Sequence, residues 1–195
     1  MNARLESLAG AALIMCCLPT FAQESASRTR CSQPALRDEL VRMLETDQRS
    51  RQHVIERPDD RKALFLLLEQ DRERTQRVLA ILKEHGWPTT AQVGADGSEA
   101  IWTILQHSDP AVLQSTLALM EKAATRHDLD WGLVATSIDR IRVNEGKKQL
   151  YGTQLEKKGG KLVPYPIQEE AKLDERRKRM GLGPFEEYLK RLEQR

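Results

Sequence analysis

The chain has 195 residues, with 31 Lys and Arg against 29 Asp and Glu and a formal net charge of +2. A balance so close to neutral leaves no electrostatic footprint for nucleic acid or an acidic lipid surface, and no nucleic-acid partner is expected. Three cysteines, two of them adjacent, cannot build a disulfide framework.

The first 22 residues read as a secretory signal peptide. Arg4 supplies the positive end, and Leu8 to Leu18 is apolar yet too short to span a bilayer as a stable helix. Thr20-Phe21-Ala22 puts small residues at the two positions a signal peptidase reads, so cleavage is expected after Ala22. The competing reading is a buried N-terminal helix. A lipoprotein is disfavoured because Met15 precedes Cys16 where a small residue is required. Processing removes one Arg and one Glu, which leaves the charge unchanged, and takes Cys16 and Cys17 with it. The expected location is periplasmic or secreted, with no membrane span in the mature chain and a lone Cys31 that can form no internal disulfide.

Residues 23–33 are polar and patternless, a flexible leader, and 34–195 read as a single helical domain. Leu36, Leu40, Val41 and Leu44 recur at helical spacing until Arg57-Pro58-Asp59 breaks the run. Asp59 is placed to cap a second helix, from about Asp60 to His85, with Gly86 as its stop and Pro88 beyond. Asp96 and Glu99 resemble a capping box, opening a short helix through Ile101, Ile104 and Leu105. Asp109-Pro110 starts a fourth helix, with Leu113, Leu117, Met120 and Ala124 on one stripe. A fifth carries Val134, Ile138 and Ile141. Gln149 to Leu155 and Lys161 to Tyr165, around Lys157-Lys158-Gly159-Gly160, read as a β-hairpin. The tail returns to helix over Glu169 to Met180 and Pro184 to Leu192. The expected fold is mainly α: a compact domain of about five helices, one small hairpin and a helical tail.

Polar residues interrupt the stripes that should form the core. On the second helix Asp71 and Thr75 point where Leu68 and Val78 point, and on the first Asp47 and Arg51 continue the face of Leu40 and Leu44. A carboxylate facing a core must be paired or neutralised, since stranding it costs several kcal/mol, roughly, per ion. Two helices departing alike suggest a shared polar site, although stripes running out to solvent would read the same. A second concentration is Gln106-His107-Ser108-Asp109, with Trp102 on the face of Gln106; His107 suits a general base, a metal ligand or a pH switch, or merely completes a corner that Asp109 caps. A third is Asp139-Arg140-Ile141-Arg142 followed by Gln149, Tyr151, Thr153 and Gln154. In a strand, Gln149, Tyr151 and Thr153 share a face, suited to a polar ligand or to plain solvation. Asp139 and Arg142 could form a surface ion pair. The run Arg176-Arg177-Lys178-Arg179 reads as a solvated helix face. Glycine-rich phosphate loops, paired cysteines and H-E-x-x-H or G-x-S-x-G motifs are absent, and no cofactor is expected.

Taken in order, His85-Gly86-Trp87-Pro88-Thr89, Val93-Gly94, Ala100-x-Trp102, Gln106-His107-x-Asp109, Gln114, Asp139-Arg140, Gly146, Gln149, Tyr151-Gly152-Thr153-Gln154 and Gly181-Leu182 form a pattern. The pattern resembles a bacterial family known only as a domain of unknown function, marked by GWPT, QHxD, DR and QxYGTQ blocks. The resemblance runs from about Asp47 to Leu182, with Ile138 standing where members often carry threonine. It implies no activity, but it nominates Asp47, Asp71, Trp87, Gln106, His107, Asp109, Asp139, Arg140, Gln149, Tyr151 and Gln154.

The expected site therefore has His107 as general base or acid, with Asp139 or Asp109 orienting it, and Arg140 holding an anionic group. Asp47, Asp71, Trp102, Gln106, Gln149, Tyr151 and Gln154 would bind the rest of a small polar ligand or a protein segment. Hydrolysis, cofactor-free binding and a purely structural network all remain open. A metal held by His107, Asp109 and Asp139 has no spacing signature behind it.

Overall fold

The computed structural model describes residues 31–194, so the expected signal peptide and most of the leader lie outside the described residues. Those described are mainly α, with seven α-helices and one two-stranded antiparallel hairpin. They are α1 (Pro34–Glu56), α2 (Arg61–His85), α3 (Thr90–Gln106), α4 (Pro110–Thr125), α5 (Trp131–Asn144), β1 (Leu155–Lys158), β2 (Lys161–Pro164), α6 (Leu173–Arg179) and α7 (Phe185–Glu193). A 3₁₀ turn at Glu170–Lys172 leads into α6. The contacts divide the chain into two units: one ends at Asp130 and holds α1–α4, and the other begins at Trp131. No helix among the described residues is long and apolar enough to cross a membrane.

In the first unit α1 packs along α3, α2 lies against both, and α4 packs on α3. Leu40, Val78, Ile101, Leu105, Leu113 and Met120 of the expected stripes are buried, and Ile81 and Val93 join them in the core. Pro34 opens α1 at a position where its missing N–H is not needed. The α2 cap falls one residue later than expected. Asp60, not Asp59, accepts from the Ala63 N–H at 2.9 Å, and the Asp59 carbonyl accepts from the Arg61 N–H in the turn before it.

Helix α3 also departs from expectation, beginning at Thr90 rather than near Asp96. The Gln92 side chain accepts from the Thr89 N–H at 2.8 Å, which caps this earlier start. The chain then kinks at Gly94, where φ is +73° and a Cβ would lie 2.5 Å from Asp96 Oδ1. Asp96 forms no box with Glu99. Its Oδ1 accepts from the Gly97 N–H at 3.0 Å, and its carboxylate pairs with Arg37 of α1.

The Trp87 corner is sewn to the end of α4. Trp87 Nε1 donates to Ser98 Oγ at 2.8 Å, and Ser98 Oγ donates onward to the Asp128 carbonyl. The Asp128 carboxylate accepts from the Thr90 N–H and from Arg126 Nε, each at 2.9 Å. Ser32 and Gln33, at the end of the expected leader, donate their N–H groups to the carbonyls of Ala91 and Gln92.

In the second unit the hairpin pairs Leu155 with Pro164 and Lys158 with Lys161. The strand expected from Gln149 therefore begins only at Leu155, and Gln149 meets Ile167 through an isolated parallel bridge. The residues from Gln149 to Gln154 form a loop, so the alternating faces assigned to Gln149, Tyr151 and Thr153 do not exist. The reason is that backbone N–H groups of this stretch bond to the Asp139 side chain instead of a neighbouring strand.

The basic run on α6 is likewise not uniformly solvated. Arg177 is 1% exposed. Its Nη1 donates to the Tyr151 carbonyl at 2.6 Å and its Nε to the Gly183 carbonyl at 2.7 Å. Its guanidinium lies 5.5 Å from the Phe185 ring centroid and 5.0 Å from that of Tyr188. Arg176 Nε donates to the Leu150 carbonyl at 2.8 Å, while Lys178 and Arg179 stay exposed.

Gly152 sits in the arch of this loop with φ +69°, and a Cβ there would lie 2.6 Å from Phe185 Cε2. Strained backbone and overpacking act together at this position. Gly152→Ala should lower the stability of the chain by about 2–4 kcal/mol, read as a reduced urea midpoint with an unchanged slope.

Candidate functional site

The two interrupted stripes meet. Asp47 of α1, 1% exposed, is the centre of a polar cluster that also contains Arg51 of α1, Asp71 and Arg74 of α2, and His107 at the end of α3. Arg51 lies one helical turn after Asp47 and grips it side-on, Nε to Oδ2 at 3.1 Å and Nη2 to Oδ1 at 3.2 Å. The same Nη2 reaches across to Asp71 Oδ1 at 2.7 Å. Arg74 closes the ring, with Nη2 3.0 Å from Asp71 Oδ1 and 3.4 Å from Asp47 Oδ1. Two carboxylates thus face two guanidiniums, and the cluster is neutral before His107 is counted.

His107 adds the one member whose charge changes near neutral pH. Its Nδ1 lies 3.1 Å from Asp47 Oδ2 and 2.9 Å from Arg51 Nε, and the imidazole is 16% exposed. Nε2 makes no hydrogen bond among the described residues. The neutral ring has two arrangements. A bare Nδ1 accepts from Arg51, or a protonated Nδ1 donates to Asp47 while Arg51 Nε turns to the same carboxylate oxygen. The second leaves Nε2 as a bare acceptor.

Burial pushes the Asp47 carboxyl up, but His107 and Arg51 outweigh it and hold it at about 2, below the ordinary 3.8. Burial pushes the His107 imidazole below its ordinary 6.5, with the Arg51 charge acting in the same direction and Asp47 opposing. At neutral pH the site therefore holds a carboxylate beside a neutral histidine.

Of the other expected residues, Trp102 and Gln106 are buried on α3. Asp109 stands at the α4 N-cap but is exposed and makes no capping bond with its side chain. The carboxylate paired with His107 within its own unit is Asp47.

Asp139, Arg140, Gln149, Tyr151 and Gln154 belong to the second unit. Asp139, fully buried on α5, accepts from the N–H groups of Leu150 (2.6 Å), Tyr151 (3.1 Å) and Thr153 (3.0 Å) and from the Thr153 hydroxyl (3.0 Å). Burial pushes its carboxyl upward against these backbone donors. The three backbone N–H donors favour the ionised carboxylate, and burial works against them. Gln149 is as fully engaged: Oε1 accepts from the Gln154 N–H at 2.9 Å, and Nε2 donates to the carbonyls of Gln154 (3.0 Å) and Tyr165 (2.7 Å). The Gln154 amide donates to the Thr136 carbonyl at 3.3 Å. Arg140 is half-buried on α5. Arg142 makes no pair with Asp139 and bonds instead to the Lys148 carbonyl (2.7 Å) and Gln168 (2.8 Å). Among the described residues no three His, Cys, Asp or Glu side chains form a group that could hold a metal ion.

A family of unknown function, DUF6624, matches residues 34–195. The chain belongs to the DUF6624 family. No curated protein and no solved structure matches it. Sequence reasoning about this DUF6624 chain missed Arg74, Asp128 and Arg177 as organising residues. For Arg74 a signal was present, since it follows Asp71 by three as Arg51 follows Asp47 by four, the spacing of helical ion pairs. For Asp128 the contact that joins two segments is to the distant Thr90 N–H, and for Arg177 the partners are main-chain carbonyls, which no local pattern records.

The acid limb of stability should carry the signature of this DUF6624 cluster. Asp47 titrates at about 2 when folded against an ordinary 3.8, so it contributes about 2 kcal/mol above pH 4 that is lost as pH falls toward 2. His107, also depressed, contributes stability that is complete above its ordinary 6.5 and declines below it. Thermal midpoints measured from pH 7 to pH 2 should fall less steeply below pH 4 in Asp47→Asn than in wild type. In the second unit, Asp139→Ala strands several buried N–H groups and should cost about 3 kcal/mol or more by chemical denaturation.

Proposed function

We propose that this is an exported protein whose first unit carries a proton-transfer site acting on a small polar substrate, with His107 as general base and hydrolysis as the reaction. The observation that carries the reading is the pairing of His107 Nδ1 with the buried Asp47 carboxylate at 3.1 Å while Nε2 stays uncommitted. A carboxylate bound to one ring nitrogen fixes the ring's orientation and favours the tautomer whose other nitrogen accepts a proton. It also stabilises the imidazolium formed when Nε2 takes that proton from a water or hydroxyl. Arg51, 24% exposed, lies beside the ring and offers positive charge to a developing oxyanion. The depressed imidazole keeps the base unprotonated through neutral pH. Export rests on the signal-like segment ending at Ala22.

One observation favours a second reading, a structural network with no ligand: the two carboxylates and two guanidiniums neutralise one another within the cluster. The two readings part on His107. Under the first, diethyl pyrocarbonate should modify Nε2 in the native protein with a pH midpoint below 6.5, and Asp47→Asn should move that midpoint lower still. His107→Asn should keep the wild-type thermal midpoint to within a few degrees and abolish turnover of any ester, amide or phosphoester substrate found by screening. An unreactive native His107, or a drop of many degrees in His107→Asn, would assign the cluster to the scaffold.

A further inference from the structure

We propose that the groove between α1 and α2 on the far end of Arg74's hydrogen-bonding network is a binding site for a small anion, a carboxylate or a phosphate group, held by Arg74 and Arg42. The groove has a volume of about 350 Å³ and is lined by Glu39, Arg42, Met43 and Thr46 of α1 with Arg74 of α2. The four α1 residues fall at spacings of three, four and seven from the first, so they form one continuous helix face.

An audit of their polar atoms shows what the groove lacks. Glu39 supplies the sole carboxylate of the lining, and both its oxygens are taken by Arg77, Nη2 to Oε2 at 2.8 Å. The Thr46 hydroxyl donates to the Arg42 carbonyl at 2.8 Å. Arg42, which is exposed, uses Nε on the Asp38 carbonyl at 3.0 Å, and no described residue is hydrogen-bonded to its two terminal nitrogens. Arg74 is 7% exposed, and its Nε is buried with no partner although Nη2 is bonded to Asp71. Buried N–H donors are almost always paired, so an unpaired one on a guanidinium that lines a groove marks a missing acceptor. The surplus is positive as well as donor-rich. Asp47 and Asp71 match Arg51 and Arg74, while Glu39 alone faces both Arg77, which takes its two oxygens, and Arg42. The complement is a group with two or more anionic oxygens, which guanidiniums recognise best. Met43 provides an apolar wall for a short chain attached to it. Nothing in this inference requires His107 to transfer protons.

The test uses the full ¹⁵N-labelled chain at constant ionic strength, titrated in turn with inorganic phosphate and sodium butyrate. The Arg74 Nε–H signal, assigned by its loss in Arg74→Lys, should shift and saturate with at least one probe. The better probe tells a phosphorylated ligand from a carboxylate. Arg42→Gln, checked for an unchanged circular dichroism spectrum, should weaken that binding roughly fivefold or more, as expected for losing one charged contact. Arg42→Lys should lose less, and His107→Asn should bind like wild type. An Arg74 signal that stays put or drifts without saturating for both probes would overturn the proposal. So would binding that Arg42→Gln leaves intact or that His107→Asn abolishes.

Discussion

A carboxylate with almost no access to water has to be met by cations or N–H donors at fixed positions, and Asp47 places that demand on three helices at once. Its oxygens draw Arg51 from its own helix, Arg74 from α2 and His107 from the end of α3. Apolar side chains alone would let these helices slide against one another at small cost, because hydrophobic contact has little directionality. The ion pairs that cross between helices, Arg51 to Asp71 and Arg74 to Asp47, hold at one setting only. Asp47 therefore sets the register of α1 against α2 and fixes where α3 ends, and it puts the only histidine of the cluster at that end.

Asp139 meets the same demand by different means. Its donors are backbone N–H groups and one hydroxyl, so it carries its negative charge without a cation hydrogen-bonded to it. The outcome differs accordingly. Around Asp47 the partners are long side chains that keep some freedom, one of them titratable. Around Asp139 the partner is the main chain itself, bent into an arch that Gln149 closes from within. The first carboxylate organises groups with chemistry left to do, and the second shapes a loop.

Much of this was legible in the sequence, for identifiable reasons. Helix existence follows from apolar spacing, which burial of Leu40, Val78, Ile101 and Met120 reflects directly. The meeting of Asp47, Arg51 and Asp71 was visible as polar residues on faces that should be core. Boundaries were less legible, because Thr89 with Gln92 competes successfully with Asp96 for the start of α3. The stretch from Gln149 to Gln154 has strand composition and no strand, since the carboxylate that takes up its N–H groups lies ten or more residues upstream. Arg177 was hidden among four consecutive basic residues; its burial depends on two aromatic rings and two carbonyls that only the folded chain brings to it.

The reach of Arg176 and Arg177 back to Leu150 and Tyr151 spans 26 residues in each case. On a ribosome that emits the chain from its N-terminus, Asp139 and the whole arch are out before the two guanidiniums that lock it. An arch formed before α6 docks is held on one side only until Arg176 and Arg177 reach it. The last stretch of the chain thus acts as a latch, and a nascent chain stalled or cut before Arg176 would display the YGTQ segment unlatched to any protease that samples it.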